Sequence, residues 1–109
     1  MTSEKIIELL KKNNMTQKDL AEKTGISKGA ISYYISGART PKYDHIKKIA
    51  DALGTSPNYI LGENNEATYE NGKLYYIQRN LAKLDSAELE KAEAILKTVF
   101  GDIFNDEDN

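Results

Sequence analysis

The stretch that decides the fold is QKDLAEKTGISKGAISYYIS, residues 17–36. It predicts two short helices that cross steeply around a tight turn, because Gly25 separates two segments with helical apolar spacing. A steep crossing needs a small residue where the helices touch, and Ala21 supplies it. The turn needs a residue that tolerates a positive φ angle, which a glycine does without strain. Ile31 and Ile35 then place branched apolar side chains on the inner face of the second helix.

Helical patterns also flank this stretch. Apolar residues recur at helical spacing in residues 3–13, with Ser3 as the expected N-cap, and again in residues 43–53. Ser56-Pro57 predicts the start of a short fifth helix, because proline is favoured at the first helical position. We therefore predict an all-α fold in which residues 1–62 form a compact five-helix domain.

Charge divides the chain of 109 residues into two halves. Residues 1–62 carry ten Lys and Arg against six Asp and Glu, whereas residues 63–109 carry five against eleven. A basic front half and an acidic back half indicate different partners. The chain has no cysteine, which excludes disulfides and thiolate chemistry and leads us to expect a cytoplasmic protein. No apolar run approaches the roughly 20 residues that span a bilayer, so no membrane partner is expected.

Residues 3–62 resemble the helix-turn-helix domain of the phage-repressor and Cro family, which includes regulators of the xenobiotic-response-element type. The resemblance implies a sequence-specific DNA-binding transcriptional regulator. It implies binding to a palindromic double-stranded operator as a dimer, most simply as the repressor of a phage, prophage or mobile element in the bacterial or host cytoplasm. The residues that carry the resemblance are Thr16-Gln17, Leu20-Ala21, Gly25-Ile26-Ser27, Ile31 and the run Ile49-Ala50-Asp51-Ala52-Leu53-Gly54.

In domains of this kind the second helix of the motif enters the major groove. Lys28 could donate to guanine, and Gly29 could allow closer approach of the backbone, although it could equally have no selected role. Base contacts are expected from the outward-facing residues Ser27, Lys28, Gly29, Ser32 and Tyr33. By resemblance, Gln17 clamps a phosphate at the start of the first motif helix. Further phosphate contacts are expected from the loop residues Arg39, Thr40, Lys42 and Tyr43.

Nothing in the sequence predicts catalysis, a cofactor or a metal site. His45 is the only histidine, and no acidic cluster stands at ligand spacing from it, so we expect a surface or capping role. No Ser-His-Asp set and no phosphate-cradling glycine loop is present. Tyr34 is expected to be partly buried against the fourth helix rather than to contact DNA.

The back half predicts a helical hairpin. Residues 63–72 contain almost nothing to bury and are interpreted as a linker, and residues 105–109 as an acidic disordered tail. Between them, residues 73–104 predict two helices, the second beginning at Ser86 after a capping box formed by Asp85 and Glu88. That helix carries an apolar stripe suited to dimerisation: Leu89, Ala92, Leu96, Val99 and Ile103, widened by Ile95 and Phe100.

Three alternatives remain open for the back half. The stripe could instead pack on its own chain, including Leu74, Ile77, Leu81 and Leu84. An antitoxin-like regulator, whose C-terminal region binds a partner protein, would use the same features, as would a repressor controlled by a protein antirepressor. A pure protein-interaction module without DNA binding conflicts with the charge division and with the motif.

Overall fold

The computed structural model describes residues 2–62 and 67–103, and within these ranges it contains seven helices and no strand. This confirms the all-α class. The helices are α1 (Thr2–Lys12), α2 (Gln17–Thr24), α3 (Lys28–Ser36), α4 (Tyr43–Leu53), α5 (Pro57–Leu61), α6 (Tyr69–Leu81) and α7 (Ser86–Val99). The chain divides into two compact units, Met1–Ile77 and Gln78–Asn109.

The core of the front unit is formed by the apolar faces of α1 to α5. α1 packs against α3 and α5, α2 packs against α3 and α4, and α4 packs against α5. Side chains from all five helices are fully buried, so the periodic apolar positions predict the core correctly. The fully buried apolar residues with the largest side chains are Ile6, Leu9, Leu20, Ile31, Ile46, Ile49, Leu53 and Ile60.

The end of α1 is fixed by the two asparagines that follow its last residue, Lys12. The side-chain amide of Asn13 donates to the carbonyls of Leu9, at 2.8 Å, and of Leu53, at 3.2 Å, and so joins the C-terminal ends of α1 and α4. Asn14 follows with a positive φ of 51°. The start of α1 differs from the prediction, because the helix begins at Thr2 and Ser3 therefore lies inside it rather than at its cap.

The segment predicted as a linker is partly helical. α6 begins at Tyr69, whose ring meets that of Tyr59 edge-on at 6.1 Å between centroids and lies under the ammonium of Lys12 at 3.7 Å. Gly72 is buried, and a Cβ there would overlap the hydroxyl oxygen of Thr55. Residues 69–72 therefore pack as part of the front unit, while residues 63–66 lie outside the described residues.

Tyr59 joins α5 to α1 through its hydroxyl. The hydroxyl donates to a carboxylate oxygen of Glu8, and the ammonium of Lys5 lies 4.5 Å from the ring centroid. Burial raises the pKa of Tyr59 to about 12, and the hydrogen bond to Glu8 adds to the effect because it favours the protonated phenol. The hydroxyl therefore remains a donor well above neutral pH.

The back unit contains the end of α6 and the whole of α7. The capping box at the start of α7 is confirmed, since the Asp85 carboxylate accepts from the Glu88 N–H at 2.8 Å and the Glu88 carboxylate accepts from the Asp85 N–H at 3.0 Å. The predicted end near residue 104 is wrong: α7 ends at Val99, because Phe100 leaves the helical conformation with φ −121° and ψ 44°. The predicted disordered tail, residues 105–109, lies outside the described residues.

Candidate DNA-binding surface

The start of α2 is held by a reciprocal capping box. The Thr16 hydroxyl accepts from the Asp19 N–H, and the Asp19 carboxylate accepts from the Thr16 N–H, both at 3.0 Å. The hydrogen bond from the Thr16 backbone is the largest influence on this carboxyl and lowers the pKa of Asp19. Gln17 is the first residue of the helix and is exposed, beside N–H groups that α-helices leave free at their N-terminus.

The turn between α2 and α3 is closed by a glycine and a threonine. Gly25 adopts φ 75° and donates its N–H to the Ala21 carbonyl at 2.9 Å. The Thr24 hydroxyl donates to the Leu20 carbonyl at 2.8 Å and accepts from the Ile26 N–H at 3.2 Å. Ile26 is buried, so both ends of the turn are fixed relative to the core.

α3 presents two different faces. Ile31 and Tyr34 are buried on one side, while the opposite side carries the residues that the sequence predicts to read bases. Lys28 and Ser32 lie four residues apart, as do Gly29 and Tyr33, so these side chains share one helix face. All five predicted base-contacting residues are exposed: Ser27, Lys28, Gly29, Ser32 and Tyr33.

Two residues of this face, Ser27 and Gly29, differ in whether they have a structural role in the described part of the chain. The Ser27 hydroxyl accepts from the Ala30 N–H at 3.1 Å and is therefore the N-cap of α3. A Cβ placed on Gly29 would meet no atom within 4 Å. A glycine inside a helix costs about 1 kcal/mol relative to alanine. The packing of the described residues gives no reason for this glycine.

The loop between α3 and α4 carries the predicted phosphate-contacting residues. Gly37 ends α3 with φ 83°, and Pro41 is buried, so the loop is anchored at two points. The Arg39 guanidinium carbon lies 4.8 Å from the centroid of the Tyr33 ring. The predicted phosphate-contacting residues of this region are all exposed: Arg39, Thr40, Lys42 and Tyr43.

A family model described as helix-turn-helix matches residues 6–60, which contain the whole of α2, the turn and α3. The chain belongs to the helix-turn-helix family of transcriptional regulators. This confirms the family resemblance that the sequence indicates. The family consists of DNA-binding regulators and is not an enzyme class.

Several curated proteins are similar to this helix-turn-helix chain. The uncharacterized helix-turn-helix-type transcriptional regulator YqaE of Bacillus subtilis is 35% identical over 71 residues, or 64% of this chain and 61% of YqaE. The cryptic phage CTXphi transcriptional repressor RstR of Vibrio cholerae is 33% identical over 86 residues, or 79% of this chain and 75% of RstR. The type II methyltransferase M.Sau96I of Staphylococcus aureus is 44% identical over 57 residues, which are 51% of this chain and only 13% of the enzyme. No solved structure matches the chain.

Two side chains behind the helix-turn-helix motif fix α3 against α4. Tyr34 is buried, as predicted, and its hydroxyl lies 2.7 Å from Nδ1 of His45. His45 is half-buried and pairs with a tyrosine across 11 residues, a contact that the predicted surface or capping role does not include. The pairing depends on how the loop returns to α4, which residue spacing alone does not show.

Lys47 is a candidate contact that the sequence reasoning missed. It is exposed on α4, and its ammonium lies 5.7 Å from the ring centroid of Tyr43, one turn earlier. The spacing of four residues between an aromatic residue and a cation was the available signal. Lys47 adds a positive charge beside the predicted phosphate-contacting residue Tyr43.

Within residues 2–62 and 67–103, no group of three or more His, Cys, Asp or Glu side chains is placed to hold a metal ion. None of the helices in these ranges is both long and apolar enough to cross a membrane.

Proposed function

We propose that this regulator binds a palindromic DNA operator as a dimer, with α3 in the major groove, and represses genes of a phage, prophage or mobile element. The observation that carries the proposal is the exposed face of α3. One side of this short helix packs into the core through Ile31 and Tyr34, and the other side is exposed to solvent. A helix fixed in this way has the geometry needed for reading base edges.

Gly29 supports the same placement. A glycine at this position destabilises α3, although a Cβ there would meet nothing within 4 Å. A glycine lets the backbone of α3 approach another surface closely, which gives a reason for this residue. The wall of the major groove is such a surface. In the proposed complex, Lys28 donates to a base edge while Gln17, Arg39, Thr40, Lys42 and Tyr43 contact backbone phosphates.

The similarity to RstR supports the assignment as a repressor of a phage or mobile element, since RstR is named a cryptic phage transcriptional repressor. A repressor of this kind acts where the bacterial DNA is, so we place this protein in the cytoplasm. The absence of cysteine agrees with a reducing compartment.

The dimer rests on α7. None of the residues of α7 is buried among the described residues. On the stripe, Leu89 and Val99 are 43% and 64% exposed, Ala92 and Leu96 are half-buried, and Ile95 beside them is 64% exposed, whereas Phe100 and Ile103 lie beyond the end of the helix. Apolar residues at alternating spacings of three and four suit pairing with an identical helix. A two-fold pair would place two α3 helices on two half-sites, which increases the number of phosphate contacts for each complex.

The alternative proposal is an antitoxin-like regulator in which the apolar face of α7 binds a different protein, either a toxin or an antirepressor. The same exposure of Ile95 and Val99 favours it. The two proposals share the DNA-binding surface and differ only in what covers α7. The mass of the purified particle distinguishes them.

The test of DNA binding is a selection from a library of random duplexes, followed by binding titrations on the recovered site. We expect a recovered sequence with two-fold symmetry. Lys28→Ala should weaken binding by about 1–3 kcal/mol and relax the preference at one base pair in each half-site. Lys91→Ala removes the same charge from exposed α7 and is the matched control. Recovery of no preferred sequence, or equal effects of the two variants, would contradict the proposal.

A further inference from the structure

The backbone after α3 folds back onto the last turn of that helix. Gly37 takes the left-handed conformation, and the Arg39 N–H donates to the Tyr33 carbonyl at 3.3 Å. The Ser36 hydroxyl donates to the same carbonyl at 3.1 Å and accepts from the Ala38 N–H at 3.3 Å. These bonds fix the position of the Arg39 backbone next to Tyr33 before any DNA is present.

The guanidinium of Arg39 then lies over the ring of Tyr33. The guanidinium carbon of Arg39 lies 4.8 Å from the centroid of the Tyr33 ring, and the ring remains 48% exposed. A planar guanidinium over an aromatic face keeps its N–H groups at its edge available for hydrogen bonds. Among the residues that the structure describes, no carboxylate forms an ion pair with Arg39. The Tyr33 ring thus orients the N–H donors of Arg39, and no described carboxylate of this unit binds them.

We infer that Tyr33 is a positioning residue for Arg39, and that the two side chains act as one unit on a single backbone phosphate. The inference rests on the proposed function, because it needs α3 to lie in the groove. It changes the role that the sequence predicts for Tyr33, which is a contact of its own to a base. The face of the Tyr33 ring that lies under Arg39 is not available for a base contact.

The physical reason for such a unit is entropic. A free arginine side chain samples many rotamers, and binding a phosphate requires most of that freedom to be lost. A side chain that is already held on a ring loses less on binding, so the contact becomes stronger without additional hydrogen bonds. The benefit disappears if either member is removed, which predicts that their effects on affinity are not additive.

The test is a double-mutant cycle on the duplex recovered by selection, with a shuffled duplex of the same composition as reference. Arg39→Ala should weaken binding about tenfold, as expected for removal of a hydrogen bond to a charged group. Tyr33→Leu should weaken it about two- to fivefold, the range for an exposed cation–π contact. The double variant should bind no more weakly than Arg39→Ala alone, and Tyr33→Phe, which keeps the ring, should bind as the wild type does.

Salt dependence separates positioning from a base contact. Arg39→Ala should reduce the slope of log K against log salt by about 0.9 for each phosphate that the arginine no longer neutralises. Arg39→Ala should reduce the slope by the same amount in the wild type and in Tyr33→Phe, and by a smaller amount in Tyr33→Leu. The base preference of the recovered site should be unchanged in all these variants.

The pair Tyr43 and Lys47 is the matched control, since it also places a cation near a tyrosine ring but at 5.7 Å and within one helix. Tyr43→Leu should leave the effect of Arg39→Ala unchanged. Multiplicative effects of Tyr33→Leu and Arg39→Ala, or a changed base preference in Tyr33→Phe, would overturn the inference while leaving the proposed function intact. Equal binding of wild-type protein to the recovered and shuffled duplexes would overturn both.

Discussion

The contrast between α4 and α7 shows what apolar periodicity does and does not predict. Both helices place branched apolar residues three and four positions apart. In α4, Ile46, Ile49 and Leu53 are at most 1% exposed, whereas in α7 Ile95 and Val99 are each 64% exposed. The pattern thus identifies the residues that share a face, but not the surface that covers them. α4 is covered by its own unit, and we propose that α7 is covered by a second copy of the chain.

The largest expected effect comes from charging the apolar stripe of α7. Leu96→Asp together with Val99→Asp would place carboxylates without partners in the proposed dimer interface, which costs about 3–5 kcal/mol for a buried charge left unpaired. We expect self-association to weaken by about a thousandfold and binding to the selected operator to fall with it. Analytical ultracentrifugation and operator titration measure the two effects, and circular dichroism should show that α1 to α5 remain folded.

The control for this experiment places the same charges on the opposite side of α7. Ala94→Asp with Thr98→Asp changes two exposed residues that lie off the stripe, so this variant should remain dimeric. A stripe variant that sediments as the wild type does would contradict the dimer. Wild-type protein that purifies with a different polypeptide on α7 would favour the antitoxin-like alternative.

A matched pair of isoleucines compares the two regions directly. Ile31 is fully buried in the front unit, so Ile31→Ala should reduce the free energy of unfolding by about 2–5 kcal/mol through reduced burial and the cavity left behind. Ile95→Ala, made in the monomeric stripe variant, should change it by less than about 0.5 kcal/mol. Urea denaturation followed by circular dichroism gives both values. Similar losses of stability at the two positions would mean that α7 is covered by its own chain after all.

The sequence predicts well what depends on neighbouring residues. The cap at Asp85, the positive φ of Gly25 and the buried face of α3 all follow from local hydrogen bonds and helical spacing. The same local reasoning predicts the exposed face of α3, because burial of Ile31 on one side of the helix leaves the other side outward.

The sequence predicts poorly the contacts that form only when one segment folds back onto another. The hydrogen bond between His45 and Tyr34 and the stacking of Arg39 on Tyr33 both require the loop after α3 to fold back. The predicted end of α7 is wrong for a related reason. Apolar spacing continues to Ile103, but the backbone leaves the helix at Phe100. Apolar periodicity identifies the residues that share one face of a helix, but it does not predict the residue at which the helix ends.

A smaller destabilisation than that of Ile31→Ala tests where the front unit ends. Gly72 lies in the predicted linker, yet a Cβ at this position would overlap the hydroxyl oxygen of Thr55, which is buried and has no hydrogen-bond partner among the described residues. We therefore expect Gly72→Ala to destabilise the front unit by about 1–3 kcal/mol, the usual range for overpacking. Thermal unfolding by calorimetry measures the change in stability.

Thr55→Ala in the same chain removes the overlapping oxygen and should restore much of that stability, although the Cβ would still lie 3.2 Å from Cβ of Tyr59. Gly62→Ala is not a suitable control, because its positive φ of 64° brings backbone strain of its own. Gly29→Ala is suitable, since a Cβ there meets nothing within 4 Å, and it should raise the stability by about 1 kcal/mol. If Gly72→Ala proved as harmless as Gly29→Ala, the first turn of α6 would behave as the linker that the sequence predicts. A destabilisation rescued by Thr55→Ala would instead place that turn in the same cooperative unit as α5. The boundary between the region that is buried in the front unit and the region that is exposed would then lie beyond residue 72.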